Sequence, residues 1–248
     1  MVGGLRIALT RVVMVLAAIT MVGCGSRDAA TSTVQEPPAG HAWAEQVEAV
    51  AGGQSDTIDA DSPVDDEMLA QLQGLGELRI LRIEQSELTA SGLNGLAGLS
   101  KLQHLQIRGR PIDDQGLETI SQLTDLRVLN LPQLNVTAQG LARLTNLTKL
   151  ELLRIGGRTI DDEGIAQLAA LPRLKFLHLI GPGISDAGLD AVAALPKLQS
   201  FYLDDSDVSE AALERLLLSR PGLHLHLDQR HLDRDPQRDH ESPRRASD

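Results

Sequence analysis

Apolar residues recur along residues 75–218 in a phrase 24 residues long. It opens at Leu75, Leu99, Leu123, Leu147, Leu171 and Leu195, with nothing inserted or lost between copies. Each copy reads L-x-x-L-x-x-L-x-L, then a spacer, an aliphatic residue, a second spacer and G-L-x-x-L. The fifth copy shows it in Leu171, Leu174, Leu177, Leu179, Ile184, Gly188, Leu189 and Val192. The L-x-L piece alternates with period two, as a strand with one buried face does. The G-L-x-x-L piece has helical spacing, so Leu117 and Ile120 share one side of a helical turn.

A strand and a turn this short cannot bury their apolar sides alone. Stacking of identical units buries them against each other as one continuous core. The period therefore predicts an α/β solenoid, with parallel strands in one layer and short helices in the other. The helical layer is the wider, so the array should curve into a horseshoe with the sheet on the concave side and the helices on the convex side. Glycine recurs at Gly92, Gly116, Gly140, Gly164 and Gly188, and Ala212 breaks the column in the last copy.

These motifs resemble the leucine-rich repeat family over about three fifths of the chain. They look most like the 24-residue bacterial subtype with I-[ST]-D-x-G-L after the strand, here Ile184-Ser185-Asp186-Ala187-Gly188-Leu189. The resemblance implies the horseshoe and a concave face that binds proteins. In one respect the chain departs from it. Where many such repeats carry a column of Asn, Cys or Thr, this chain has Ser86, Arg110, Leu134, Arg158, Pro182 and Ser206. Backbone bonds must satisfy that turn instead.

The flanks divide on the same logic. Residues 42–72 read as a cap helix, with Trp43, Val47 and Val50 at helical spacing, and a partial copy from Val64 to Leu72. Residues 52–62 between them are a loop or a degenerate strand. The six copies occupy residues 73–218. Residues 219–228 hold Leu223, Leu225 and Leu227, an edge strand closing the sheet, and 229–248 read as a disordered charged tail.

Residues 1–23 have the shape of a signal peptide. Arg6 and Arg11 precede an apolar run from Val12 to Val22, too short to span a bilayer comfortably. The run ends Met21-Val22-Gly23-Cys24, which resembles a bacterial lipobox, with Met21 where leucine is usual. By that resemblance Cys24 is lipidated and becomes the mature N-terminus. It is the one cysteine of the 248 residues, so intrachain disulfides are excluded. Residues 24–41 are small, polar and proline-containing, a flexible tether. The expected location is lipid-anchored to a bacterial membrane, in the outer membrane or on the outer side of the cytoplasmic one.

Charge narrows the partners. The net charge of −11 becomes −13 once residues 1–23, which hold Arg6 and Arg11 and no acid, are removed. Such a surface disfavours nucleic acid and anionic headgroups, so the membrane contact must be the lipid on Cys24.

Candidate chemistry is sparse. The acid pairs Asp65-Asp66, Asp113-Asp114 and Asp161-Asp162 recur at one repeat position, where N-capping of the helices explains them; Asp204-Asp205 lies outside it. His224, His226 and Asp228 alternate along the last strand, a spacing that could hold a metal but that suits solvated edge residues better. No phosphate loop, nucleophile elbow or metalloprotease motif occurs, so the reading is of a non-enzyme without cofactor or metal. The outward positions between the strand leucines are what remain. They combine Arg82, Arg108 and Arg154 with Val128, Leu152, Phe176 and Ile180, and with Asn130, His178 and Tyr202. Arginine and aromatic residues anchor interfaces. The expected function is a membrane-tethered scaffold binding a protein or peptide through this face. The alternatives are a structural envelope component that self-associates and, behind it, a metal-dependent hydrolase.

Overall fold

The computed structural model describes residues 42–228 and the short strand at Arg230–His231. The expected signal peptide, Cys24, the expected tether and most of the expected charged tail lie outside the described residues. Each copy forms one strand and one helical segment, as the two rhythms require. The strands are β1 (Thr57–Ala60), β2 (Ile80–Ile83), β3 (His104–Ile107), β4 (Val128–Leu131), β5 (Leu152–Gly156), β6 (Phe176–Ile180), β7 (Ser200–Asp204), β8 (His224–Leu227) and β9 (Arg230–His231). They form one sheet in chain order, parallel from β1 to β8. This is an α/β leucine-rich repeat solenoid and fits the horseshoe.

Register shows how strictly the period governs pairing. Ile80 lies beside His104, His104 beside Val128, and Val128 beside Leu152, each step spanning one repeat. The strand leucines fall in the core phase: Leu81, Leu105, Leu129, Leu153 and Leu177 have no exposed surface. The first pairing alone slips by a residue, Thr57 lying beside Ile80. It also settles residues 52–62, which contain a true strand.

The ends are closed by different devices. Helix α1 (Trp43–Ala51) buries Val50 and packs Trp43 and Val47 against the core. The Gln46 amide makes two bonds to Asp59 of β1, donating to its carbonyl (2.8 Å) and accepting from its N–H (2.7 Å). A side chain thus answers backbone groups on the open edge of the sheet. At the other end β8 is not the edge strand expected. Strand β9 pairs with it antiparallel, so the stretch from residue 229 is not wholly an unstructured tail. After the helix Glu210–Ser219, the Arg220 guanidinium donates to the carbonyls of Ala193, Leu195 and Leu198 at 2.7–2.8 Å.

The acid pairs divide their labour in a way that capping alone did not anticipate. The first member caps: Asp65, Asp113 and Asp161 accept from Met68, Gly116 and Gly164 in the helices Asp66–Ala70, Asp114–Ile120 and Asp162–Gln167. The second member reaches the next copy. Asp66 accepts the N–H and hydroxyl of Thr89, Asp114 those of Thr137 and Asp162 those of Ser185; Asp186, which follows a serine, accepts those of Ser209 in the same way. The capping column has either a hydroxyl or an acid, and the residue before it in space matches. Thr89, Thr137, Ser185 and Ser209 each follow an Asp; Asp113 and Asp161 each follow an alanine, Ala90 and Ala138. Two facing carboxylates never meet, because like charges in contact repel.

The glycine column follows in part from the same contact; at Gly116 and Gly164 a Cβ would instead press on the Leu93 and Ile112, or the Leu141, side chains. A Cβ at Gly92 or Gly140 would overlap the carboxylate of Asp66 or Asp114. Ala212 is accommodated where the cap residue Ser209 has ψ 151°, against 169° at Thr137 and −176° at Ser185. The turn that lacks an asparagine-type ladder is held by backbone bonds, as expected: Ile112 donates to Gln133, and Asn135 to Ile112.

Asp114→Ala, which removes two charge-assisted bonds, should lower stability by about 1–2 kcal/mol. Ala90→Asp should also destabilise, by setting a carboxylate against Asp113. Chemical unfolding of both variants checks this, and a stabilised Ala90→Asp chain would contradict the pairing rule.

Candidate functional site

Three rows of side chains cross the outward face of the sheet, one from each outward strand position. The middle row runs Asp59, Arg82, Gln106, Asn130, Arg154, His178, Tyr202 and His226, placed side by side by the register. Much of it is bonded along its length. Gln106 donates to Glu84, Asn130 to Gln106 (2.9 Å), and Arg154 Nη1 to Asn130 (3.1 Å). Arg154 Nε donates to His178 Nδ1 (3.3 Å), and His178 Nε2 lies 2.8 Å from Asp204. Arg82 pairs with Asp59 (2.9 Å), and Arg108 with Glu84 (3.0 Å).

This ladder sets the state of its members. His178 Nδ1 accepts from Arg154, so Nε2 carries the proton and donates to Asp204, and the ring is neutral. Its pKa lies below the ordinary value because burial outweighs the pull of Asp204, with Arg154 acting in the same sense as burial. Arg154 is also held below its ordinary value, by burial first and by Arg108 second. At the C-terminal end the ladder gives way to rings. Tyr202 packs tilted on His178 (5.5 Å between centroids) and stacks on His226 (4.3 Å).

The first row is different in kind. It runs Ile80, His104, Val128, Leu152, Phe176, Ser200 and His224. Val128, Leu152 and Phe176 lie on adjacent strands and make an apolar stripe across β4, β5 and β6. Phe176 keeps 40% of its surface exposed. In the third row Ile180 is half-buried beside Gly156 and Asp204. The structure therefore brings together the expected Val128, Leu152, Phe176, Ile180 and Arg154. It ties Asn130, His178 and Tyr202 into the ladder and stack, and gives Arg82 and Arg108 carboxylate partners. Sequence reasoning missed Asp59 and Glu84 as those partners, and Asp204 as the acceptor for His178. A carboxylate 23 to 26 residues away was the available signal.

The metal spacing does not become a site. His224 Nε2 and His226 Nε2 lie 2.6 Å apart, a distance for one shared proton. Asp228 takes a left-handed backbone (φ 47°) and accepts the Asp205 N–H (3.0 Å). Among the described residues no group of three His, Cys, Asp or Glu side chains is arranged to hold an ion. A cavity of about 200 Å³ is lined by Leu88, Thr89, Ala90 and Leu93 and by Arg110, Pro111, Ile112 and Asp113, where Ala90 lacks the bridging carboxylate.

The repeat geometry defines the class of fold, a leucine-rich repeat solenoid. No family profile and no curated protein sequence matches the chain. Among solved structures it is similar to a leucine-rich repeat protein of Leptospira interrogans, at 17% identity over 63% of this chain and 44% of that one, with TM-score 0.42. A TDR receptor is similar at 19% identity over 74% and 36%, with TM-score 0.47. An internalin of Listeria monocytogenes is similar at 20% identity over 65% and 66%, with TM-score 0.33. The chain thus spans less than two thirds of the length of each.

His104, in the first row, gives a test of burial on this face. Burial, and then the charge of Arg82, draw its pKa down to about 4 against the opposing pull of Asp59. Between the ordinary 6.5 and about 4 the unfolded chain binds the proton and the folded chain resists it. Stability present above pH 6.5 is therefore lost as pH falls through that window. Melting curves from pH 7 down to 4 should show a smaller loss for His104→Gln than for the unaltered chain; an equal loss would remove His104 as the cause.

Proposed function

We propose that this chain is a membrane-tethered lipoprotein that docks a protein or peptide partner on the outward face of its sheet. The observation that carries the docking half is the stripe of Val128, Leu152 and Phe176. The core does not use these side chains: the leucines between them complete it. An exposed phenylalanine beside two half-buried aliphatics, next to a half-buried arginine, is the composition of an interface centre. The tethering half rests on Cys24 and the apolar run before it. A signal peptide removed at Cys24 and acylation there would place the domain at a membrane, with residues 25–41 as spacer. The outer membrane, or the outer side of the cytoplasmic membrane, is the proposed location. The proposed role is that of a scaffold and not of an enzyme.

Phe176→Asp should reduce partner capture from membrane extract at least tenfold, about 1.4 kcal/mol or more, while the unfolding midpoint changes little. Unchanged capture would sink the docking face. Cys24→Ser should move the protein from the membrane pellet to the soluble fraction after cell lysis. If it stays in the pellet, lipid on Cys24 is not the anchor.

A further inference from the structure

Arg154 stands apart from the other basic residues of the strand face. Arg82 is paired with Asp59 and Arg108 with Glu84; just before the strands, Arg127 and Lys175 share Glu151. The contacts of Arg154 are all neutral: the Asn130 amide oxygen and the His178 ring nitrogen. Its Nη2 has no hydrogen-bond partner among the described residues. The acids nearest along the ladder, Asp204 and Glu84, pull on Arg154 through space but do not bond to it: Asp204 accepts from His178, and Glu84 pairs with Arg108 and accepts from Gln106.

The surroundings make this cation costly to leave without a counterion. Leu152 precedes it by two residues on β5, with Val128 and Phe176 beside Leu152 on either side. Gly156 follows it by two, flanked by Ile180. Apolar groups thus border the guanidinium along both strand directions, while its bonds to Asn130 and His178 aim it and restrict its rotamers. A charge so desolvated gains strongly from one opposite charge that arrives with its own apolar neighbours and excludes water. The planar fork of the guanidinium suits a carboxylate.

We propose that the partner docked on this face presents an acidic side chain, Asp or Glu, flanked by apolar residues, with the carboxylate on Arg154 and the apolar residues over Phe176, Leu152 and Ile180. This rests on the proposed docking face and gives it a chemistry. The chain as a whole is acidic, so long-range attraction does not bring an acidic partner in. Recognition occurs at contact, where Arg154, unlike Arg82 and Arg108, has no ion pair among the described residues.

The test selects peptides from a random library on the full chain in detergent, then measures affinities for the winners and their Glu→Gln or Asp→Asn copies. The expected result is that selected peptides carry an acid next to aliphatic or aromatic residues. Neutralising that acid should weaken binding at least tenfold. Arg154→Gln, with its thermal unfolding checked, should bind both peptide forms alike, and Arg154→Lys should recover part of the difference. Selected peptides without an acid, but dependent on Phe176, would overturn this proposal and leave the docking face standing. A penalty for neutralisation that persists in Arg154→Gln would also overturn it. Failure of the unaltered chain to select any peptide would overturn both.

Discussion

No repeat of this chain can bury its own apolar side, and everything else in the structure answers to that. A strand of four or five residues and a helical segment of ten or fewer have too little area to pay for their ordering alone. Burial is completed by the neighbour, so each copy must present the same surface at the same place. That demand accounts for a period held without slippage and for leucines with no exposed surface in layer after layer. It also explains why the two ends need their own devices. At one end Gln46 answers the backbone of β1 and α1 covers the core. At the other, β9 covers β8 and Arg220 gathers carbonyls that no further copy would shield.

Polar contacts between copies obey the same rule of neighbour completing neighbour. On the helix side, the second acid of each pair satisfies the hydroxyl and N–H that begin the following helix. Alternation of hydroxyl and acid in the capping column keeps like charges apart, at the expense of alanines at positions 90 and 138. On the sheet side, the middle row forms a bonded ladder that passes from Glu84 through Gln106, Asn130 and Arg154 to His178 and Asp204. Both ladders hold adjacent copies in register, and neither adds a reactive group. What the sheet face has left over is apolar area around Phe176 and one arginine with neutral partners.

How much of this was legible in the residues differs by feature. Leu129 and its column could be assigned to the core because period two and period 3.6 each leave a separate trace. Asp113 and Asp161 could be read as caps because capping is local, three residues from donor to acceptor. The roles of Asp66, Asp114, Asp162 and Asp186 could not be read locally, since their partners sit one repeat away. The same holds for Arg82 and Arg108. Counted along the chain they are basic residues at outward positions; in space each has a carboxylate from an adjacent strand.

The sequence by itself determined the architecture, since strict periodicity leaves stacking as the sole way to bury the leucines. It also determined which positions face outward. The tertiary structure decided which of those outward groups remain available, because a side chain's freedom depends on what the neighbouring strands bring beside it. Register places Asp59 against Arg82 and Glu84 beside Arg108, yet puts only Asn130 and His178 next to Arg154. It also lines Val128, Leu152 and Phe176 into one stripe. No single copy contains that juxtaposition; it exists only where three copies meet.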